Sequence, residues 1–527
     1  MNLNTQFVFD GKLKRNLIIG MAIGVLSLAW SAVGDDAFYT RFWTNYLHNA
    51  VFFTGIAFTA MFFLSGQITA FAGWMVVIKR LWEAMSQFML VGIALLLVVV
   101  IGVWGHLHHL YHWNTPGITD PSSPLYDKVI AGKAGFLNPV FFTVGTVGFL
   151  AIWYFWAYKL RQNSLAQDTH ETPSFDYYKR ERKWAASFLP LGGFLSTVFL
   201  WQLIMSIDTH WYSTMFAWYS TISLFLGGLA LFIVLILYLQ SKGYLAYVTR
   251  EHLHDLGKYL FGISIFWTYL WFDQYMLIWY GNIGEETIYF KERMDNYPIL
   301  FWGNLVLNFV VPFFVLMRND TKRKAGTMFF AALLVFLGHW IDFFYMIKPG
   351  ARIAALEAME ISEGAHSGTH FGQDSKDLTQ KSVASEVPHA WAGVGAASAE
   401  QIAQAEQHSP SEAESAAPAS AAQDPVGDGE PVHYGDHASA QEHASSAEAH
   451  GEGEGHHADR GFQLGYTLPG FQEVGVLIGF LSLFLFFFFR QLERAPLLPL
   501  KDPFLEESLH HHTGVYVDGE ESGADHH

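Results

Sequence analysis

Long apolar runs, not short alternating ones, set the pattern of this chain. They lie near Leu17–Val33, Phe42–Phe71, Phe88–Gly105, Leu137–Tyr158, Ala185–Met205, Met215–Leu239, Tyr259–Tyr280, Ile299–Met317, Met328–Ile347 and Val474–Phe489. Most are long enough, at about 1.5 Å of rise per residue, to cross about 30 Å of hydrocarbon as a helix. Many mix Gly, Ser, Thr and Ala with Phe and Trp, as in Gly55-Ile-Ala-Phe-Thr-Ala, which lets helix backbones approach one another in lipid. The pattern predicts an all-α polytopic membrane helix bundle of about ten transmembrane helices.

The polar stretches between the runs predict an orientation and a domain plan. Two thirds of the 31 Lys and Arg fall in alternate connections, on the side that also holds Lys12, Lys14, Arg15, Arg490, Arg494 and Lys501. Cytoplasmic loops carry the excess of Lys and Arg, so both termini are expected in the cytoplasm. The first run has a basic start but no small-residue cleavage site, which reads as an uncleaved helix. Residues 1–348 should hold nine membrane helices, 461–495 the tenth, and 496–527 a cytoplasmic tail. Between them, 349–460 turn to Ala, Glu, Ser, Gly and His, too little apolar surface to offset the entropy of ordering, so this acidic insert is expected to be disordered on the outer side. Its histidines, among them His433, His437, His443, His450, His456 and His457, show no compact four-ligand spacing.

Composition narrows the function. The chain is 51% hydrophobic, 17% aromatic and only 15% charged, which suits a lipid bilayer. A net charge of −17 argues against nucleic acid as a partner. With no cysteine, disulfides, thiolate nucleophiles, cysteine-bound iron-sulfur clusters and covalently attached haem are excluded. No phosphate-cradling glycine loop and no His-Glu-x-x-His motif occurs.

Ionisable residues inside the runs are few, and each needs a partner or a purpose. In the seventh run Tyr269, Asp273, Met276 and Tyr280 fall on one helix face. In the ninth, His339 and Asp342 sit three apart. Asp208 and His210 follow the fifth run, where the chain must turn. Depth along each run places Asp273, His339 and Asp342 in the outer half, with Asp208 at the surface. These five, Asp208, His210, Asp273, His339 and Asp342, are candidates for a proton route opening outward, Asp273 being expected to face His339 and Asp342 or a file of water. The alternative is a set of buried polar groups that fix helix register. Four histidines, His106, His108, His109 and His112, follow the third run; haem or zinc ligation with His48, a polar cap and a docking surface are the readings they allow. No metal site is assigned.

Three stretches carry a resemblance. Arg41-Phe-Trp-Thr-Asn-Tyr-Leu-His-Asn-Ala-Val-Phe-Phe-Thr-Gly-Ile-Ala, Ser206-Ile-Asp-Thr-His-Trp-Tyr-Ser-Thr-Met-Phe, and His252-Leu-His-Asp-Leu-Gly-Lys followed by Phe266-Trp-Thr-Tyr-Leu-Trp-Phe-Asp-Gln-Tyr-Met-Leu-Ile-Trp-Tyr resemble the ActF-type subunits of bacterial alternative complex III. It covers residues 1–348 and the last helix. The resemblance implies an NrfD-like and PsrC-like subunit with two four-helix bundles, in a quinol:cytochrome c oxidoreductase of the respiratory electron transport chain in the bacterial inner membrane. It implies a sister NrfD-like subunit, an iron-sulfur protein and haem c proteins as partners. The chain would then support quinol oxidation and proton translocation with no cofactor of its own and no catalysis alone, quinol contact belonging mainly to the sister subunit. An ion or solute transporter and a purely structural anchor stay open as alternatives; a transporter would break helices at paired Gly or Pro, and Pro190 and Pro312 are read near helix ends.

Overall fold

The computed structural model describes residues 6–33, 39–169, 175–367 and 468–512. Every regular element among them is helical. Among the described residues nine helices are long and apolar enough to cross a membrane: α1 Gly11–Ala32, α2 Thr40–Thr69, α3 Gly73–Trp104, α4 Pro139–Asp168, α5 Phe175–Ile207, α6 Thr214–Ser241, and, after two further helices, α9 Pro298–Leu316, α10 from Ala325, and α11 Phe471–Leu492. The two between are α7 Arg250–Gly281, of 32 residues, and the short α8 Gly284–Asn296. α7 is equally long but more polar, since Arg250, Glu251, His252, His254, Asp255 and Lys258 open it and Trp, Tyr, Asp273 and Gln274 occupy its second half. The chain is therefore an all-α, multi-pass membrane protein.

Three helices depart from the apolar runs that predicted them. α3 starts at Gly73, well before Phe88, because Lys79, Arg80 and Glu83 interrupt the apolar pattern yet are buried in the helix. α5 starts at Phe175, before Ala185, so Pro190 lies inside a continuous helix and not near an end. α10 runs through Pro349 to Ser367, so the expected insert begins within a helix. The remainder of that insert, with its six named histidines, lies outside the described residues.

Lipid is as apolar as leucine, so helices in a bilayer associate through close packing and buried polar contacts more than through hydrophobic transfer. Both devices are present. α1 lies on α11 with backbones touching: a Cβ on Gly24 would sit 2.3 Å from Gly479 Cα. α2 is the centre of the bundle, buried along most of its length, with Phe52 and Phe53 packed against Phe336 and Phe343 of α10 and Phe484 of α11. Gln6 donates to the Glu493 carbonyl at 2.8 Å, and Phe7 stacks on Phe489. The start of the chain and the end of α11 thus share one face of the bundle, the end face. The segment after α11 folds back over it, Ser508 Oγ bonding the Val77 N–H and the Trp74 carbonyl.

Candidate functional site

The α10 segment Phe336-Leu-Gly-His-Trp-Ile-Asp-Phe-Phe carries His339 and Asp342 into the interior, where neither has measurable exposure. Helical spacing puts them one turn apart on the same face, as the sequence predicted. The surrounding helices answer with donors. Tyr219 of α6 donates its hydroxyl to Asp342 Oδ1, and Asn304 Nδ2 of α9 donates to the same oxygen at 3.1 Å. Ser223 Oγ of α6 and Trp267 Nε1 of α7 donate to Oδ2 at 2.8 and 3.2 Å. Four donors therefore meet the roughly four lone-pair sites of a carboxylate. No Lys or Arg shares in this among the described residues; the one titratable base within 4 Å is His339, Nδ1 at 3.9 Å. Charge-assisted hydrogen bonds replace a counter-ion.

Ser223 joins the two side chains of α10. Its Oγ is 2.9 Å from His339 Nδ1 and 2.8 Å from Asp342 Oδ2. A hydroxyl has one proton, so Ser223 donates to Asp342 and accepts the Nδ1 proton of His339, which leaves Nε2 as the lone-pair nitrogen. That atom is buried without a hydrogen-bond partner among the described residues, as are Asn304 Oδ1, both polar atoms of Asn308, and Ser264 Oγ. Buried polar atoms of this kind are normally satisfied by water. All sit on α7, α9 and α10 around or on the end-face side of Asp342. α9 carries a π-helical turn over Val306–Val310, one extra residue per turn, and Asn304 and Asn308 both point inward around it. Only glycine at 338 lets Asn308 so close, because a Cβ there would be 2.2 Å from Asn308 Oδ1. The arrangement can pass a proton along a defined line: Nε2 takes one up, Nδ1 gives one to Ser223 Oγ, and Ser223 gives its own to Asp342 Oδ2.

Towards the opposite face, Tyr345 follows Asp342 by one turn, its hydroxyl buried and without a described partner. Beyond it Arg293 of α8, fully buried, lies 3.4 Å from the centre of the Tyr289 ring and donates to Asp208 Oδ2 at 2.9 Å and to the Met346 carbonyl at 3.2 Å. Burial works against the Arg293 charge, but Asp208 more than offsets it and raises its pKa. Asp208 is thus a locked ion pair and not the open mouth expected from its place in the chain. His210 is exposed and pairs with Asp127 at 2.8 Å.

Asp273 is a correction. The inward face of α7 is Trp267, Trp271, Gln274 and Ile278; Asp273 lies with Tyr269, Met276 and Tyr280 on the outward face, partly exposed, and joins neither His339 nor Asp342. The four histidines after α3 do not converge on His48. His48 Nε2 bonds the Trp340 carbonyl at 2.9 Å, His108 packs edge-on to Trp43, and His112 turns to Glu357 at 3.5 Å. Burial lowers both His108 and His112 to about 4. Among the described residues no three His, Asp or Glu side chains are grouped to hold a metal ion.

Two parts of the interior escaped the sequence reading. The neutral residues Tyr219, Ser223, Asn304 and Asn308 look like ordinary small polar positions in apolar runs, although each pair is spaced by four. Lys79 and Arg80 look like loop charges, yet Lys79 Nζ is buried between Glu181 at 2.7 Å and Asp502 at 2.9 Å. Arg80 bonds Glu83 at 2.9 Å, the Ser164 hydroxyl at 2.9 Å, and Asp168. Compared with protein-family models and with curated proteins, the chain finds no match.

Proposed function

We propose that this chain is a membrane subunit of a quinol:cytochrome c oxidoreductase of the alternative complex III type, with no redox centre of its own, and that the His339–Ser223–Asp342 line carries protons within it. The observation that carries the reading is Asp342: a carboxyl group with no Lys or Arg beside it among the described residues, buried in a membrane helix, where an ionised group is unfavourable by about 2.5 to 3.5 kcal/mol or more. A purely structural anchor has no need of such a group, since neutral side chains would hold the same helices together. The resembling stretches support the reading by what they supply. Asn49 holds the Trp340 indole, Trp267 holds Asp342, and Asp208 holds Arg293, so all three stretches meet at or beside α10. The NrfD-like plan would make α7 the tenth membrane helix and set the end face, rich in Lys and Arg, in the cytoplasm of a bacterial inner membrane.

The experiment is turnover and proton release by the whole complex in liposomes with Asp342→Asn. The amide keeps the size, and the Tyr219 and Ser223 hydroxyls can turn to accept from it, so assembly should survive. Quinol oxidation with proton release should fall at least tenfold. Wild-type turnover and wild-type proton release would remove the relay and leave a structural role.

A further inference from the structure

We propose that the outward face of α7 around Asp273 is the docking surface for a membrane-spanning helix of another chain, one that presents a lysine or arginine at the depth of Asp273. The inference rests on the reading of this chain as one subunit of a membrane complex. Tyr269, Phe272, Met276, Leu277 and Tyr280 on this face are exposed, Tyr280 to 84%, and Asp273 lies among them. The carboxylates buried in the spanning helices all have partners within the chain: Glu83 and Asp168 have Arg80, Glu181 has Lys79, Glu473 has Arg41, and Asp342 has its four donors. Asp273 of α7, partly exposed and looking outward, has none among the described residues.

Depth makes this unfavourable in lipid. Asp273 is eight residues from the end of α7 at Gly281, about 12 Å along the axis, with exposed Trp279 and Tyr280 near that end where an aromatic belt belongs. Lys and Arg can snorkel to the interface on long stems; an aspartate side chain is too short. The occupant must therefore bring its complement to Asp273. A second copy of this chain docked by the same face about a two-fold axis would set two Asp273 carboxylates against each other, so charge selects a different chain with a basic residue.

The test places a photo-crosslinking amino acid at Tyr269 or Met276 in the assembled complex, in native membranes, with Leu26 of α1 as the lipid-facing control. The expected result is a cross-link from 269 and 276, absent from 26, to one membrane-spanning peptide with Lys or Arg within a helical turn of the attachment. Asp273→Lys should lower its yield at least tenfold, and an acidic replacement of the partner's basic residue should restore it. If Asp273→Lys fails to accumulate, the isosteric Asp273→Asn must still lower the yield. Adducts with lipid alone, adducts with residues 359–467 of this chain, or a yield indifferent to Asp273 would overturn the proposal. A basic partner helix from a chain unconnected with quinol oxidation would keep this surface and remove the function proposed above. An intact, quinol-oxidising complex with no cross-link from 269 or 276 would remove only the surface.

Discussion

Two buried polar regions of this protein solve the same problem in opposite ways. At the end face, Lys79, Arg80, Glu83, Asp168, Glu181 and Asp502 form a charged cluster in which every cation is held by two carboxylates. Around α10, a single carboxylate is held by one phenol, one hydroxyl, one indole and one amide. The first region neutralises charge with charge and fixes α3, α4, α5 and the segment after α11 to one another. The second surrounds Asp342 with neutral donors and, among the described residues, no Lys or Arg, with a histidine linked to it through one hydroxyl. Ion pairs inside a protein are strong holders and poor proton carriers, since moving a proton destroys the pair. A carboxylate dressed in neutral donors can take a proton and give it back while its neighbours only rotate. The difference separates a clasp from the relay proposed above, although both read in sequence as isolated charges in apolar surroundings.

The comparison breaks most visibly at the clasp. Lys79→Met should leave Glu181 and Asp502 facing each other without a cation, a loss of about 3 to 5 kcal/mol, typical of removing one partner from a buried pair. The whole complex should lose thermal stability in mild detergent and accumulate poorly. Adding Glu181→Gln to Lys79→Met should recover part of the loss; no recovery would mean that the lysine acts through packing and not through charge.

At the α10 site a single deletion should be milder. Tyr219→Phe removes one donor of four, and Asp342 keeps three, so the stability change should stay near about 1.5 to 3 kcal/mol, as for a hydrogen bond to a charged group. Turnover of the complex should fall as well, while its melting temperature falls by less than in Lys79→Met. A drop in both together, as large as that of Lys79→Met, would erase the distinction between the two regions.

The smallest effect belongs to the segment at the opposite face between α3 and α4. His112 is lowered to about 4 by burial, with His210, Asp127, His109 and Glu357 around it. A histidine depressed in the fold contributes stability that is complete above its unfolded pKa of about 6.5 and is lost as pH falls from there towards 4. His112→Gln should therefore change little at pH 7.5, within about 0.5 kcal/mol. It should blunt the loss of hydrogen-exchange protection of residues 106–118, relative to the intrinsic exchange rate at each pH, between pH 7.5 and pH 5. Unchanged acid sensitivity in the variant would assign that sensitivity to His108, which burial lowers equally.

The buried pair His339 and Asp342 was legible and its setting was not. His339 and Asp342 stand out because charged residues are rare in apolar runs and three-residue spacing aligns them on a helix. Their donors do not stand out, because Tyr, Ser, Trp and Asn are ordinary in membrane helices, where they also pack interfaces. The clasp was illegible for the reverse reason. Lys79 and Arg80 follow the rule that places basic residues in loops, and nothing local announces that Glu181 and Asp502, far along the chain, neutralise them.

By itself the sequence determined the helices and their faces. Apolar length and helical period are local properties, and they set nearly every span and grouped Asp273 correctly with Tyr269, Met276 and Tyr280. Only the tertiary structure decided which way each face turns. α7 packs its tryptophans against α9 and α10, so Trp267 reaches Asp342 and Asp273 is left looking outward. Both faces of α7 are amphipathic mixtures of aromatic and polar groups, and in a bilayer the apolar contrast that orients a helix in water is absent. Orientation then depends on which neighbours offer donors and small residues at the right depth, information carried by distant parts of the chain.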